Sequence, residues 1–430
     1  MSDSYFHSVR LIEARCRGCV VCAKHCPMEA IRVRAGKARI LEERCIDCGE
    51  CIRLCPAKAK TTVTDGMDCL ERFSYNVALP APSLYAQFPA AVPLGRILGG
   101  LLQLGFDAVC EVALGAADVT AAVKRLLQKQ DASKPLISSA CPAVVRLVQV
   151  KFPDLLPCLV PMEAPVTVTA RRARARAVEQ TGLPPEKIGV WFLTPCPAKM
   201  TAVKQAGGVI DGAIAISHLY GELLAKVHDK EGVELEVESS WLGAGWALAG
   251  GESQGVLKES VLVVDGIEQV SQLLEQVAFG TLGQVRYIEA LACAGGCIGG
   301  PLTAVNRFVG ETQLRRRASI WPSKTPEKPR AVEVLPLPLP KPVLRLDQDI
   351  REALRKVESM EEMLYKLPGL DCGSCGSPNC RALAEDIVQG QASETDCVFL
   401  LRQRVRDLAQ EMKNLAEKLP PSLDKSEEES

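Results

Sequence analysis

The stretch EALACAGGCIGGP at 289–301 sets Cys293 and Cys297 four residues apart and follows them with Gly299, Gly300 and Pro301. Glycines at such places let a backbone pass close to something bulky. Two more cysteines stand upstream in similar loops, Cys141 in SSACP at 138–142 and Cys196 in TPCPAK at 194–199. Around these loops short apolar runs alternate with longer amphipathic ones. The runs at 135–138, 188–193, 213–216 and 261–264 read as buried strands, and 119–129, 218–226 and 267–277 read as helices. That rhythm predicts a parallel sheet with crossover helices. Cys141 and Cys196 then fall just past the carboxyl ends of strands, where open α/β sheets place their ligands. Four thiolates converge only if the fold brings the loops together; otherwise they are small buried residues of a glycine-rich core.

At 430 residues the chain is too long for one ordinary core, so two to four domains are expected. Lys plus Arg total 51 against 52 for Asp plus Glu, which leaves no basic excess to favour nucleic acid. The start lacks a basic region followed by an apolar run, and the apolar stretch at 90–106 is interrupted by Arg96 and glycines and is too short to span a bilayer. A cytoplasmic protein without a membrane segment is the expectation. Nineteen cysteines in a reducing compartment point to metal ligation before disulfides.

CRGCVVCAKHCP at 16–27 recurs as CIDCGECIRLCP at 45–56. Both obey Cys-x2-Cys-x2-Cys-x3-Cys-Pro, in which three thiolates wrap three corners of a cubane and the fourth reaches the other cluster. Cys16, Cys19, Cys22 and Cys55 are therefore expected to hold one [4Fe–4S] cluster, and Cys45, Cys48, Cys51 and Cys26 a second. Two zinc ribbons would leave the extra cysteines and the prolines unexplained. Such a module moves single electrons.

A third set, Cys372, Cys375, Cys380 and Cys397, lies in LPGLDCGSCGSPNCRALAEDIVQGQASETDC at 367–397. Gly373 and Gly376 allow a tight bend around a cluster, and Pro378 is expected to start a helix ending near Gly390. The spacing resembles small [4Fe–4S] domains appended to electron-transfer and corrinoid iron–sulfur proteins; zinc is the alternative.

The three loops at 138–142, 194–199 and 289–301, in this order, resemble the signature loops of the [FeFe]-hydrogenase H-cluster domain over roughly residues 78–310. The resemblance implies that Cys141, Cys196, Cys293 and Cys297 ligate a cubane, with Cys297 bridging to a diiron subsite. It also implies that Lys199 hydrogen-bonds one diiron cyanide and that Pro82 and Ser83, in Ala81-Pro82-Ser83, contact the other. H2 and protons would be the substrates, and a ferredoxin or a signalling protein the redox partner.

The departures from that family are specific. Catalytic members carry two adjacent cysteines in the first loop, one of them a proton carrier, and here that position is Ala140. The helix at 119–129 offers Lys124, Arg125 and Lys129 but no carboxylate, and the serine of the following loop aligns with Ala164 beside Glu163. Thr194 and Leu291 stand where methionine is usual. With the C-terminal cluster module, these features resemble the sensory branch. That branch commonly appends a PAS domain, which these 430 residues do not include, so an output through a partner is implied.

The expected organisation is a multidomain α/β protein. It comprises an α+β two-cluster ferredoxin-like domain at 1–65, a central α/β domain with parallel sheet at 66–320, and a proline-rich linker at 321–345. A small helical [4Fe–4S] domain with a terminal helix at 346–420 and an acidic tail at 421–430 complete it. LPLPLPKP at 335–342 favours extended polyproline structure, as a linker or as a strap across the preceding domain. Leu401, Val405, Leu408, Met412, Leu415 and Leu419 repeat as a short coiled-coil seam, for a homodimer or for packing within the chain. Cys69, Cys110 and Cys158 belong to no motif and read as lone thiols. Arg171, Arg172, Arg174 and Arg176 form a basic turn, either a solvated face or an electropositive entry path.

Three functions fit: a sensory redox protein with low-rate reversible H2 chemistry, a catalytic ferredoxin-linked hydrogenase with a non-standard proton path, and a narf-like assembly or electron-transfer protein without diiron. Sixteen cysteines in four ligand sets predict four [4Fe–4S] units, hence about sixteen iron atoms before any diiron is added. Iron and sulfide analysis of anaerobically reconstituted protein checks this; about eight irons, or stoichiometric zinc, would remove the middle or the C-terminal assignment.

Overall fold

The computed structural model describes residues 6–129, 134–205, 207–229, 231–257, 259–322 and 329–418. The chain separates into two compact units, Met1–Arg15 with Glu42–Leu344, and Cys16–Leu41 with Arg345–Ser430. Leu419 and the acidic tail at 421–430 lie outside the described residues.

The first unit is mixed α/β. One parallel sheet has the order Ala108–Val109, Tyr75–Pro80, Ile188–Thr194, Gly212–Ala215, and a second parallel sheet runs Val261–Asp265, Tyr287–Leu291, Leu136–Ile137. Ile188–Thr194 is buried along its whole length, as expected of a parallel strand covered on both faces. All four strands read from apolar runs are present, and three others join them. Tyr75–Pro80 contains a polar Asn76, and Tyr287–Leu291 carries Glu289 in its middle, so neither forms an unbroken apolar run. Ala108–Val109 is only two residues long.

Helices cover the sheets. Pro165–Thr181 begins with the ring that pre-sets a helical φ and ends at Gly182 in the left-handed region, the usual terminal pair. It packs against Val112–Lys129. That helix starts seven residues earlier than the 119–129 pattern indicates and so includes one carboxylate, Asp118, which faces Arg172 at 3.9 Å and accepts the backbone N–H of Arg330. Leu79, Leu101, Trp191 and Phe192 are at most 1% exposed in the main core, and Val123 and Tyr287 anchor a second.

The proline-rich stretch lies along the first unit as a strap. Val334 bridges Met162, Leu335 N–H donates to Pro161 O, and Lys341 N–H donates to Gln149 O. The four arginines of the basic turn are consumed in ion pairs: Arg171 with Glu163 and Glu333, Arg172 with Asp118, Arg174 with Asp211, and Arg176 with Glu238. They form neither a bare solvated face nor an open cationic path.

The second unit holds the one-turn helix Val21–Lys24, the hairpin Ile31–Arg34 with Lys37–Ile40, and three longer helices, Ile350–Lys366, Cys380–Val388 and Val398–Ala416. Met360, Met363, Leu367 and Leu383 make a small core with Cys397. The middle helix begins at Cys380, two residues after Pro378. Asn379 is extended at φ −149° and its side chain accepts Ala382 N–H, so the cap sits there. Val398–Ala416 leaves Leu401, Val405, Leu408, Met412 and Leu415 exposed. No helix among the described residues is long and apolar enough to cross a membrane.

Glu111, 3% exposed, collects four donors in the first unit: Tyr85 Oη, Ser239 Oγ at 2.6 Å, Ser239 N at 3.0 Å and Glu238 N at 2.8 Å. Glu111→Ala would orphan these donors, each worth about 1–3 kcal/mol when buried without a partner. Thermal unfolding should show Tm lowered by several degrees; a Tm within about one degree of the parent would show that water replaces the carboxylate.

Candidate functional site

Carboxyl ends of both parallel sheets carry the site. Tyr75–Pro80 runs into Pro82 and Ser83, Ile188–Thr194 into Cys196, Leu136–Ile137 into Ala140 and Cys141, and Tyr287–Leu291 into Cys293 and Cys297. Cys141 caps the helix Pro142–Lys151, and Cys196 directly precedes Pro197–Gln205, so a proline-started helix fixes the exit of each loop. Sequence spacing could not show that these ends meet; the fold brings all four thiols into electrostatic range of one another.

Burial dominates their chemistry. It raises the Cys141 thiol, pushes Cys196 up to about 12 and holds Cys293 well above its ordinary value, with the neighbouring thiolates adding to the rise. Lys199 is the counter-charge. Burial alone would lower it, but Cys297, Cys196 and Cys141 together outweigh that and raise it, and its Nζ donates to Cys297 Sγ at 3.3 Å. A cavity of about 130 Å³ opens beside these groups, lined by Pro82, Ser83, Ala140, Lys199, Cys297 and Glu252 among others. The volume exceeds that of a single water many times. Ser83 is fully buried, and its Oγ has no hydrogen-bond partner among the described residues. Four half-buried thiols near one another, with Cys297, Lys199 and the orphaned Ser83 hydroxyl bordering one cavity, fit a thiolate-held cluster with a polar extension.

The second cysteine motif packs directly on these loops. Gly49, between Cys48 and Cys51, adopts φ +78°, and a Cβ there would meet Pro301 at 2.5 Å and Pro197 at 3.0 Å. Arg53 reaches Gly299 O at 3.5 Å, and Ser8 Oγ donates to Pro197 O at 2.8 Å. Backbone N–H groups point at motif sulfurs: Ala59 to Cys55 at 3.2 Å in this unit, and Ala30 to Cys26 at 3.3 Å and Ala38 to Cys16 at 3.4 Å in the other. Cys372, Cys375, Cys380 and Cys397 line one small cavity in the second unit, which fits a four-thiolate cluster. Cys69, Cys110 and Cys158 are all buried.

One constellation had almost no signal in the sequence. Glu252 and Glu289 are 3% and 1% exposed and both border the large cavity. Ser138 Oγ donates to Glu252 Oε2 at 2.7 Å and accepts Ala140 N–H at 3.2 Å, and Tyr287 Oη donates to Glu252 Oε1. Glu289 takes the N–H groups of Gly250 at 2.9 Å and Ser253 at 2.8 Å. Burial, with the charge of Glu289, raises Glu252 well above the carboxylate range. The only hint was a glutamate inside the apolar run before Cys293. Glu163 is tied instead to Arg171 and to Glu333 N–H at 2.8 Å.

Known proteins match this arrangement. The family model for the iron only hydrogenase large subunit, C-terminal domain, matches residues 74–206 and 200–301, more than half of the chain. A 4Fe-4S dicluster domain matches 8–56, and a further Fe–S cluster family matches 367–399. The periplasmic [Fe] hydrogenase large subunit of Nitratidesulfovibrio vulgaris is 27% identical over 362 residues, covering 68% of this chain and 86% of that protein. Iron hydrogenase 1 of Clostridium pasteurianum is 23% identical over 258 residues, covering 48% of this chain and 45% of its own. The solved [FeFe]-hydrogenase of Chlamydomonas reinhardtii aligns with TM-score 0.47 and 16% identity, over 59% of this chain and 87% of that one. The match spans the loops that carry all four of these cysteines, and the chain belongs to the iron-only, or [FeFe], hydrogenase large-subunit family, with a 4Fe-4S dicluster match before its hydrogenase domain and an Fe–S cluster match after it.

Proposed function

We propose that the chain binds an H-cluster at Cys141, Cys196, Cys293 and Cys297 and serves as a redox or H2 sensor with low turnover. The observation that carries this is the gathering of those four thiols, with Cys297 bonded to Lys199 beside a cavity that the orphaned Ser83 hydroxyl also borders. When bound, the cluster would supply the redox centre for H2 ⇌ 2H⁺ + 2e⁻. The cysteines hold it, Lys199 offsets its negative charge, and Pro82 and Ser83 present a backbone and a hydroxyl to its outer part. Ser83 speaks against the narf-like reading, because its unpartnered hydroxyl has no purpose beside a bare cubane, whereas Lys199, which also serves the thiolates, discriminates only weakly. Electrons leave singly through the ferredoxin motifs, with the fourth cysteine of each motif serving the other cluster. A redox partner receives the signal, and a second copy meeting the exposed stripe of Val398–Ala416 is the homodimer consistent with that surface. A reducing cytoplasm suits sixteen ligand-spaced thiols.

A slowly working hydrogenase is the second reading, favoured by Glu252. Ala140 cannot carry a proton, whereas the carboxyl of Glu252 borders the same cavity and touches the Ala140 loop through Ser138. Ser138, Tyr287 and Glu289 are the polar groups that face it. Held protonated at neutral pH by burial and by Glu289, it can give up a proton to the cavity and recover one.

Infrared spectroscopy of maturated protein tests the main reading: CO and CN stretching bands should appear, and should vanish in Cys196→Ala and Cys293→Ala while the ferredoxin signals persist. Bands absent from the parent would leave a bare cubane; loss of every cluster signal in the variants would mean one interdependent core.

Glu252→Gln should lower H2 evolution with a reduced dye by roughly 10²-fold or more, the scale of one positioned acid–base group. Ala140→Cys should recover only part of a catalytic rate, since the one carboxylate of the helix Val112–Lys129, Asp118, is engaged by Arg172 and Arg330 N–H. The acid also affects stability. Its folded pKa lies above its unfolded one, so the folded chain binds more protons and stability falls as pH rises through the raised value. Chemical denaturation across pH 6–9 should show that alkaline loss in the parent and a smaller loss in Glu252→Gln, with the pH range set roughly by the carboxyl shift. Parallel curves would show Glu252 to be ionised throughout.

A further inference from the structure

The second unit brings the C-terminal cysteine loop against the first ferredoxin motif. Gly373 has φ +75°, and a Cβ on it would lie 3.3 Å from Val20 Cγ2 and 3.4 Å from Lys24 Cδ. Val20 stands between Cys19 and Cys22, and Gly373 follows Cys372, so the two cysteine loops touch with no intervening layer. The contact is clamped from the hairpin that follows the first motif. Val33 N–H donates to Gly376 O at 2.7 Å, and Arg34 donates to Cys375 O at 2.9 Å. Asp386, 2% exposed, accepts Arg32 Nε at 2.6 Å, Arg34 at 2.8 Å and Ser377 Oγ at 3.0 Å. Asn379 Nδ2, from the cap of the helix that starts at Cys380, donates to Glu29 Oε1 at 2.6 Å. A module hung on a flexible tether would need none of this. Buried, multiply bonded charges hold one geometry, because any other leaves them desolvated and unpaired.

We infer that the C-terminal module is a docked electron relay that exchanges single electrons directly with the cluster served by Cys16, Cys19 and Cys22. This rests on the cluster sites proposed above. In each transfer one cluster is oxidised by one electron and the other reduced by one, with no proton moved and no bond made. The electrons come from H2 or from a chemical reductant. Cys372, the exposed ligand of the set, gives the relay an outward edge, whereas Cys397 is buried.

Electron paramagnetic resonance of the reconstituted, dithionite-reduced full chain tests this, beside Cys375→Ala and Arg34→Leu. Reduced clusters in contact couple magnetically, so the parent should show broadened, fast-relaxing signals. Removing the C-terminal cluster by Cys375→Ala should cost about four irons, sharpen the ferredoxin lines and lower their half-saturation power several-fold. Arg34→Leu keeps every ligand, and should keep the iron content while weakening the coupling. A parent spectrum equal to the sum of isolated clusters, or a Cys375→Ala variant that loses four irons with unchanged ferredoxin relaxation, overturns the relay. No iron loss in Cys375→Ala overturns the cluster assignment beneath it instead. Should Cys375→Ala fail to fold, the parent spectrum and Arg34→Leu decide the matter between them.

Discussion

Four thiols gathered out of water around a single lysine are the constraint on which the first unit turns. Burial opposes the thiolates of Cys141, Cys196 and Cys293, strongly enough to push Cys196 up to about 12, and Lys199 offsets part of it for Cys141 and Cys196. Sulfur donors in this condition give up their protons to a strongly bound metal centre or not at all. The fold answers with rigidity. Two parallel sheets end at the same place, prolines start the helices after Cys141 and Cys196, and Gly49 lets the second ferredoxin motif press on the prolines of two site loops. A preformed cage of this kind spares the ordering entropy that separate loops would lose on binding a cluster.

Buried charge recurs away from the thiols, and each instance is satisfied differently. Glu111 remains among four donors, Asp386 between two arginines, and Glu252 has hydroxyl partners with a second carboxylate near it. The first two arrangements tie elements together. The third favours the neutral acid, which is the state able to donate a proton. Environment rather than residue type separates structural carboxylates from one suited to acid–base work. The same logic removes the basic turn at 171–176 from consideration as an entry path, since all four of its arginines face carboxylates.

Membership of the hydrogenase family rests on the loops, and the departures from it fall around one point in space. Ala140 in place of a thiol and the Glu252 network both border the cavity. The cavity thus has an alanine on its wall beside a buried acid, while the thiols of the three loops stay within electrostatic range of one another.

Cysteine spacing alone determined the ferredoxin motifs and the C-terminal set, because cluster ligation demands short, repeated intervals that composition rarely mimics, whereas the three hydrogenase loops, far apart in sequence, were legible only through a family resemblance. Apolar runs likewise determined Ile188–Thr194 and Val261–Asp265, whose side chains are all or mostly apolar. Tyr287–Leu291 escaped, since a buried Glu289 interrupts the run, and the acid is tolerated only because Gly250 and Ser253 donate to it from a distant loop. The helix start at Val112, the strap at 329–344 and the helix cap at Asn379 were also decided by partners remote in sequence. So was the pairing of Glu252 with Ser138, across 114 positions of chain. Local covalent rules reach only a few residues, whereas desolvation and hydrogen-bond satisfaction are properties of whatever the folded chain places nearby.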